Sequence, residues 1–154
     1  MFNMIPPVGL PFGWRTIFSG ADRGSEFARL LGSMLGGDCK LTSSGKAALW
    51  LALSAMHQES PDRDEVIIPD YTCWTVPSAV VRAGLKVKPV DIEPNYLGLD
   101  PAQIDSAITD KTLAVIAPHL FGIPSRIDEL ELICRARGVF LIDDAAQAFG
   151  ARIG

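Results

Sequence analysis

The sequence predicts an α/β fold built on a mostly parallel sheet, and three observations predict it. Short apolar runs of strand character alternate five times with segments of helical periodicity. The links between them are short, which favours strand–helix–strand crossovers. Proline and glycine sit at the segment edges, where they open and close helices.

Each element follows from its residues. Residues 1–20, with Pro6, Pro7 and Pro11 among glycines and aromatics, read as an irregular arm. From Ala21 to Leu35, apolar side chains at Phe27, Leu30, Leu31, Met34 and Leu35 fall at helical spacing, and Gly36 and Gly37 stop the run. Cys39–Ser43, "CKLTS", reads as a short strand. "GKAALWLALSAM", from Gly45, is apolar on nearly every side and reads as a buried helix. "EVIIP" is a strand closed by Pro69. "TVPSAVVRAG" is a helix with Pro77 in its first turn and Gly84 at its end. "KVKPVDI", from Lys86, is a strand. Asp100 then caps a helix with Pro101 at its first position and Gln103 three residues after the cap. "LAVIAPH", from Leu113, is a strand. A helix runs from a Ser125 cap to a Gly138 stop, and "VFLID", from Val139, is the last strand. In such sheets helices cover both faces, and ligands gather at the carboxyl ends of the strands, where helix N-termini also point.

The bulk properties exclude several classes. At 154 residues the chain is one domain or part of a larger one. It is 48% hydrophobic, but no run approaches the roughly 18 residues needed to span a bilayer. The first residues lack the basic-then-apolar order of a signal peptide. A net charge of −4, without clustered Lys and Arg, argues against nucleic-acid or anionic-membrane partners. The three cysteines are widely spaced, with no CxxC, and the two histidines form no HExxH. Neither a disulfide framework nor a metal site is expected, and a reducing cytoplasm is the expected home.

Four stretches place chemistry at strand ends. In "TSSGKAAL" a Ser-Ser-Gly turn leads into a helix. Free N–H groups there attract phosphate, Gly45 permits close approach, and Lys46 adds a charge. The ordinary reading is a serine N-cap. The stretch fails the P-loop pattern at Lys40 and Ala47, which removes support for a nucleotide hydrolase that would use "VFLIDD" as its metal-binding strand. In "PDYTCW", Tyr71, Cys73 and Trp74 could hold a planar ring by stacking or simply plug the sheet end; Cys73 has no basic sequence neighbour to activate it. In "PHLFG", His119 is either a catalyst or a hydrogen-bonded structural residue. In "IDDAAQ", Asp144 and Gln147 stand three apart, as in a capping box. Alternatively Asp144 faces a cationic ligand group. A cap needs only an acceptor, whereas a ring N–H⁺ needs a full negative charge to keep its proton.

Together, "SSGKAAL", "DEVIIPDYT", "AGLKVKPVDI", "LDPAQIDSAIT", "KTLAVIAPHLFG" and "IDDAAQAFGA" resemble, in order and spacing, the DegT/StrS-type aminotransferases from about Gly24 onward. These are pyridoxal-phosphate enzymes that aminate nucleotide-linked keto sugars. The resemblance implies an aspartate-aminotransferase-like, fold type I large domain over residues 21–154, present in part, with the remainder and a small C-terminal domain beyond it. It implies pyridoxal 5′-phosphate as cofactor, an amino-acid donor (glutamate expected), a nucleotide-linked keto sugar as acceptor, and a homodimer. Gly45 and Lys46 would supply backbone groups to the cofactor phosphate. Asp144 would pair with the pyridinium nitrogen, and Gln147 would lie near the phenolic oxygen. Asp143 matches a position usually held by Glu and receives no cofactor contact. Two positions depart from the family: Lys46 replaces a small hydroxyl residue, and Thr72 is followed by Cys73, with Trp74 one later, so Cys73 and Trp74 both stand as candidates to cover the ring. The Schiff-base lysine is expected beyond Gly154, since Lys40, Lys46, Lys86, Lys88 and Lys111 do not occupy its place. The other reading is a non-catalytic α/β binding or dimerisation module derived from this family.

Overall fold

The computed structural model describes residues 23–151; the arm expected over residues 1–20 lies outside them. The chain forms two units, Met1–Leu41 and Thr42–Gly154. In the first, α1 spans Arg23–Leu35, close to the expected helix. It ends in a Schellman turn: Gly36 takes φ +73°, and Gly37 N–H donates to Gly32 O at 3.1 Å. A β-carbon on Gly32 would stand 2.6 Å from the Gly37 carbonyl oxygen, so the turn depends on that glycine too.

The second unit is a layered α/β domain. Its elements are α2 (Gly45–Glu59), β1 (Glu65–Pro69), α3 (Thr75–Arg82), β2 (Lys86–Val90), β3 (Ile92–Glu93), β4 (Gly98–Leu99), α4 (Pro101–Ala107), β5 (Thr112–Pro118), α5 (Ile127–Arg137) and β6 (Phe140–Asp144). β1, β2, β5 and β6 form a parallel sheet in the order β2-β1-β5-β6, and β3 and β4 form a small antiparallel pair. β5 is central and buried at all seven residues, as a strand covered on both faces must be.

Strand alternation splits the core in two. On one face Val66, Ile68, Ala114 and Ile116 meet Leu53 of α2 and Val76 and Val80 of α3. On the other, Ile67, Val115 and Ala117 meet Ile104 of α4 and Leu130 and Cys134 of α5. Helices therefore cover both faces, as the alternating pattern requires. Where the pairing of β1 with β5 shifts register, Glu65 faces Thr112 and Val66 faces Ala114, leaving Leu113 as the extra residue of a bulge.

Several expectations are corrected. "CKLTS" forms no strand, because none of its backbone groups joins a ladder among the described residues. α2 is not buried all round: Leu53 is fully buried, whereas Leu51 is 47% exposed. A helix in an outer layer packs one side on the sheet and keeps the other in solvent. The run Lys86–Ile92 is two strands, broken at Asp91, whose carboxylate accepts from the Ile92 N–H. Pro89 sits where a proline belongs, on the edge strand β2. Asp100 caps α4 as expected, accepting from Ala102 N–H at 3.0 Å. Ser125 does not cap α5: its buried hydroxyl donates to Pro118 O at 2.7 Å, and Arg126 takes the cap position. Gly138 closes α5 with φ +62°. No helix begins at Asp144; Ala146–Gly150 is a series of turns.

Candidate functional site

In chain order β1 leads outward to β2, whereas β5 and β6 lie on the other side of β1. The direction of winding therefore reverses between β1 and β5, which opens a crevice at their carboxyl ends. One cavity of about 790 Å³ lies there, lined by Ser44, Gly45 and Lys46 at the start of α2, Thr72–Val76 after β1, Pro118–Leu120 after β5 and Ile142–Gln147 at the end of β6.

The start of α2 forms the first wall. Ser44 is extended, and its hydroxyl accepts from Ala47 N–H at 3.2 Å, so the ordinary serine cap is real. It takes only one of the orphan donors of the helix. The N–H groups of Gly45 and Lys46 have no acceptor among the described residues. A β-carbon on Gly45 would meet nothing within 4 Å, so open space faces this backbone. Capping and anion binding are thus compatible here. The Lys46 ammonium sits over the Trp74 indole, 5.6 Å from the ring centre.

The second wall is the turn into α3. Cys73 Sγ, which is exposed, lies 3.1 Å from Oγ1 of the half-buried Thr75. That hydroxyl holds the thiol below its ordinary pKa, helped by the Thr75 backbone N–H and opposed by burial and by the carboxylate of Asp144. Cys73, without a basic neighbour in sequence, thus loses its proton more readily than an ordinary thiol because of a hydroxyl. Trp74 is 72% exposed at the cavity mouth.

The third wall joins the tips of β5 and β6. His119 N–H donates to Asp144 O at 3.2 Å, and the His119 ring reaches Asp143 at 2.6 Å. Asp144 Oδ1 accepts from Ala146 N–H at 3.2 Å. Its other oxygen has no protein partner among the described residues. The capping box fails: Gln147 Oε1 accepts from Phe121 N–H at 2.6 Å and does not turn back to Asp144. Phe121 itself holds φ +57°, in the left-handed region.

All six residues singled out from the sequence, Gly45, Lys46, Cys73, Trp74, Asp144 and Gln147, line this one cavity. The sequence reading missed the bond between His119 and Asp143. The parallel register of the two strands would have found it, since Ala117 pairs with Asp143. Among the described residues no group of three or more His, Cys, Asp or Glu is arranged to hold a metal ion, and no helix is long and apolar enough to cross a membrane.

Comparison with known proteins agrees with this geometry. An L-glutamine:2-deoxy-scyllo-inosose aminotransferase of Micromonospora echinospora is 41% identical over 116 residues, 75% of this chain and 27% of that protein. A UDP-N-acetyl-3-dehydro-alpha-D-glucosamine 3-aminotransferase of Acidithiobacillus ferrooxidans is 36% identical over 84% of this chain and 34% of that one. The chain thus spans about a third or less of the length of these relatives. The crystal structure of 3-amino-5-hydroxybenzoic acid synthase superimposes with a TM-score of 0.78 at 33% identity, over 86% of this chain and 34% of that one. GDP-4-keto-6-deoxymannose-3-dehydratase, solved with a trapped PLP-glutamate geminal diamine, superimposes with a TM-score of 0.77 at 27% identity, over 87% of this chain and 36% of that one. The six motifs, the switch-point cavity and a family match over residues 16–154 agree: the chain belongs to the DegT/DnrJ/EryC1/StrS aminotransferase family.

Proposed function

We propose that residues 21–154 form the cofactor-holding part of a large domain in a pyridoxal-phosphate-dependent aminotransferase. The whole protein moves an amino group from an amino acid, glutamate in this reading, to a nucleotide-linked keto sugar. It works as a homodimer in the cytoplasm. The observation that carries this is the lining of the one cavity: free helix N–H groups and an ammonium share it with a carboxylate oxygen that has no protein partner among the described residues. A phosphorylated pyridinium ring carries the complementary pair of charges.

The residues fit such a group. Gly45 and Lys46 N–H would take the phosphate, with the dipole of α2 assisting. Asp144 would hold the proton on the ring nitrogen, because a carboxylate favours the charged form of its neighbour. Gln147, whose Oε1 is taken by Phe121, offers its amide N–H₂ to the phenolic oxygen. Trp74, with an exposed indole, is the better ring cover than Cys73. When bound, the cofactor supplies an electron sink for carbanion chemistry; the protein fixes its orientation and protonation. The lysine that moves protons in this chemistry belongs, in this reading, to residues after 154.

Titration with pyridoxal phosphate, followed by cofactor absorbance, tests the assignment. Asp144→Asn is expected to weaken binding by about tenfold or more, the scale of a lost charged hydrogen bond. It should also shift the spectrum toward the ring deprotonated at nitrogen. Unaltered affinity and spectrum in that variant would overturn the assignment. Failure of the wild-type chain to bind would favour the non-catalytic binding module instead.

A further inference from the structure

Two adjacent carboxylates end β6, and the pleat of the strand turns them to opposite faces: Leu141, two before Asp143, packs in the core under α4 and α5, whereas Ile142, two before Asp144, packs in the core under α2 and α3. Asp143 is at Cα register with Ala117, and Asp144 with Pro118. His119 follows directly on β5, with its side chain 8% exposed and both ring nitrogens partnered. Ser125 N–H lies 2.9 Å from Nδ1, and an amide N–H can only donate. Nδ1 is therefore the acceptor, and the proton of the neutral ring sits on Nε2. That N–H points at Asp143 Oδ1, 2.6 Å away. The Ser125 loop is itself anchored by its hydroxyl on Pro118 O, and Gly98 packs against it so closely that a β-carbon there would lie 3.1 Å from Ser125 Oγ.

We propose that His119 is a positioning residue: by engaging Asp143 it holds the tip of β6 so that the next carboxylate, Asp144, is presented to a cationic ring in the cavity. This rests on the ring-binding reading of Asp144. Two bonds from one residue fix the tip of β6, the backbone N–H to Asp144 O and the imidazole to Asp143. Without the imidazole bond the tip of β6 would keep only its backbone anchor, and the Asp144 carboxylate would be held less firmly at the ring nitrogen. The other charged or titratable groups lining this cavity are Cys73 and Lys46. Neither is hydrogen-bonded to Asp143 or Asp144 among the described residues.

The test has two readouts. Imidazole ¹⁵N NMR of the cofactor-free protein should show His119 protonated on Nε2 and bare on Nδ1; the opposite tautomer would overturn the proposal. The second readout uses 4-deoxypyridoxine 5′-phosphate, which lacks the aldehyde and so needs no lysine. Its ultraviolet band reports the ring nitrogen. His119→Gln, which keeps a donor toward Asp143, should retain wild-type affinity within about threefold. His119→Leu should lose fivefold or more and give a mixture of protonation forms. If His119→Leu fails to fold, Asp143→Ala carries the same prediction with the backbone bond intact. Wild-type binding and spectrum in a folded His119→Leu or Asp143→Ala protein would sink this inference alone. Absence of probe binding to the wild type would sink the ring-binding reading itself.

Discussion

Cys73 and Cys134 show how far a residue's chemistry depends on its neighbours. The Thr75 hydroxyl holds the exposed thiol of Cys73 below its ordinary pKa, whereas burial pushes Cys134 up to about 11. Since the thiolate is the reactive form, iodoacetamide at neutral pH should label Cys73 faster than Cys134 by on the order of tenfold or more. Thr75→Val should slow Cys73 selectively, as peptide mass spectrometry after timed quenching would reveal. Equal labelling rates in the two backgrounds would contradict the role given to Thr75. The polar residues of the site were legible in the sequence because strand ends and helix starts announce themselves by residue type. The partner of His119 was not, because it lies 24 residues away and is set by strand register. The destination of the Gln147 amide escaped for a related reason: its partner N–H lies 26 residues away, in the turn after β5.

At the scale of elements, burial separates residues that look alike in sequence. Leu53 and Leu51 stand two apart in the same apolar run of α2, yet one is fully buried and the other 47% exposed. Leu53→Ala should cost about 2–5 kcal/mol in denaturant unfolding, and Leu51→Ala less than about 1 kcal/mol. Comparable losses at both positions would mean that α2 packs on two sides. Gly138→Ala, which forces a side chain into φ +62°, should cost about 1 kcal/mol by the same measurement. The helices and strands that the sequence announced were those with capping residues or a dense apolar run. "CKLTS" was misread because composition reports strand character, whereas a strand exists only where another strand lends its hydrogen bonds. Ser125 was misread as a cap because its hydroxyl had a buried carbonyl within reach, and burial makes that bond the more valuable one.

For the whole molecule, the reversal of winding between β1 and β5 matters most. It explains why residues from Gly45 to Gln147 meet, although nothing in their spacing says so. Alternation of elements made the fold class legible; strand order was not, because several orders satisfy the same alternation. Among the described residues β6 pairs on one side only, and Trp74, Phe121 and Phe149 project aromatic rings into solvent. An unpaired edge beside exposed aromatics favours self-association. Sedimentation velocity should therefore show mass rising with concentration; a single monomeric species across the range would contradict this expectation.

A last consequence concerns folding. The cavity takes its walls from the start of α2 and the tips of β1, β5 and β6, segments joined only through the sheet. No fragment of the unfolded chain can imitate it, so a ligand held there favours the native state and no other. At a hundredfold excess over its dissociation constant it would add about 2.7 kcal/mol to global stability. Amide exchange in the buried strand β5, remote from the ligand in chemical terms, would slow along with that of the loops that touch it.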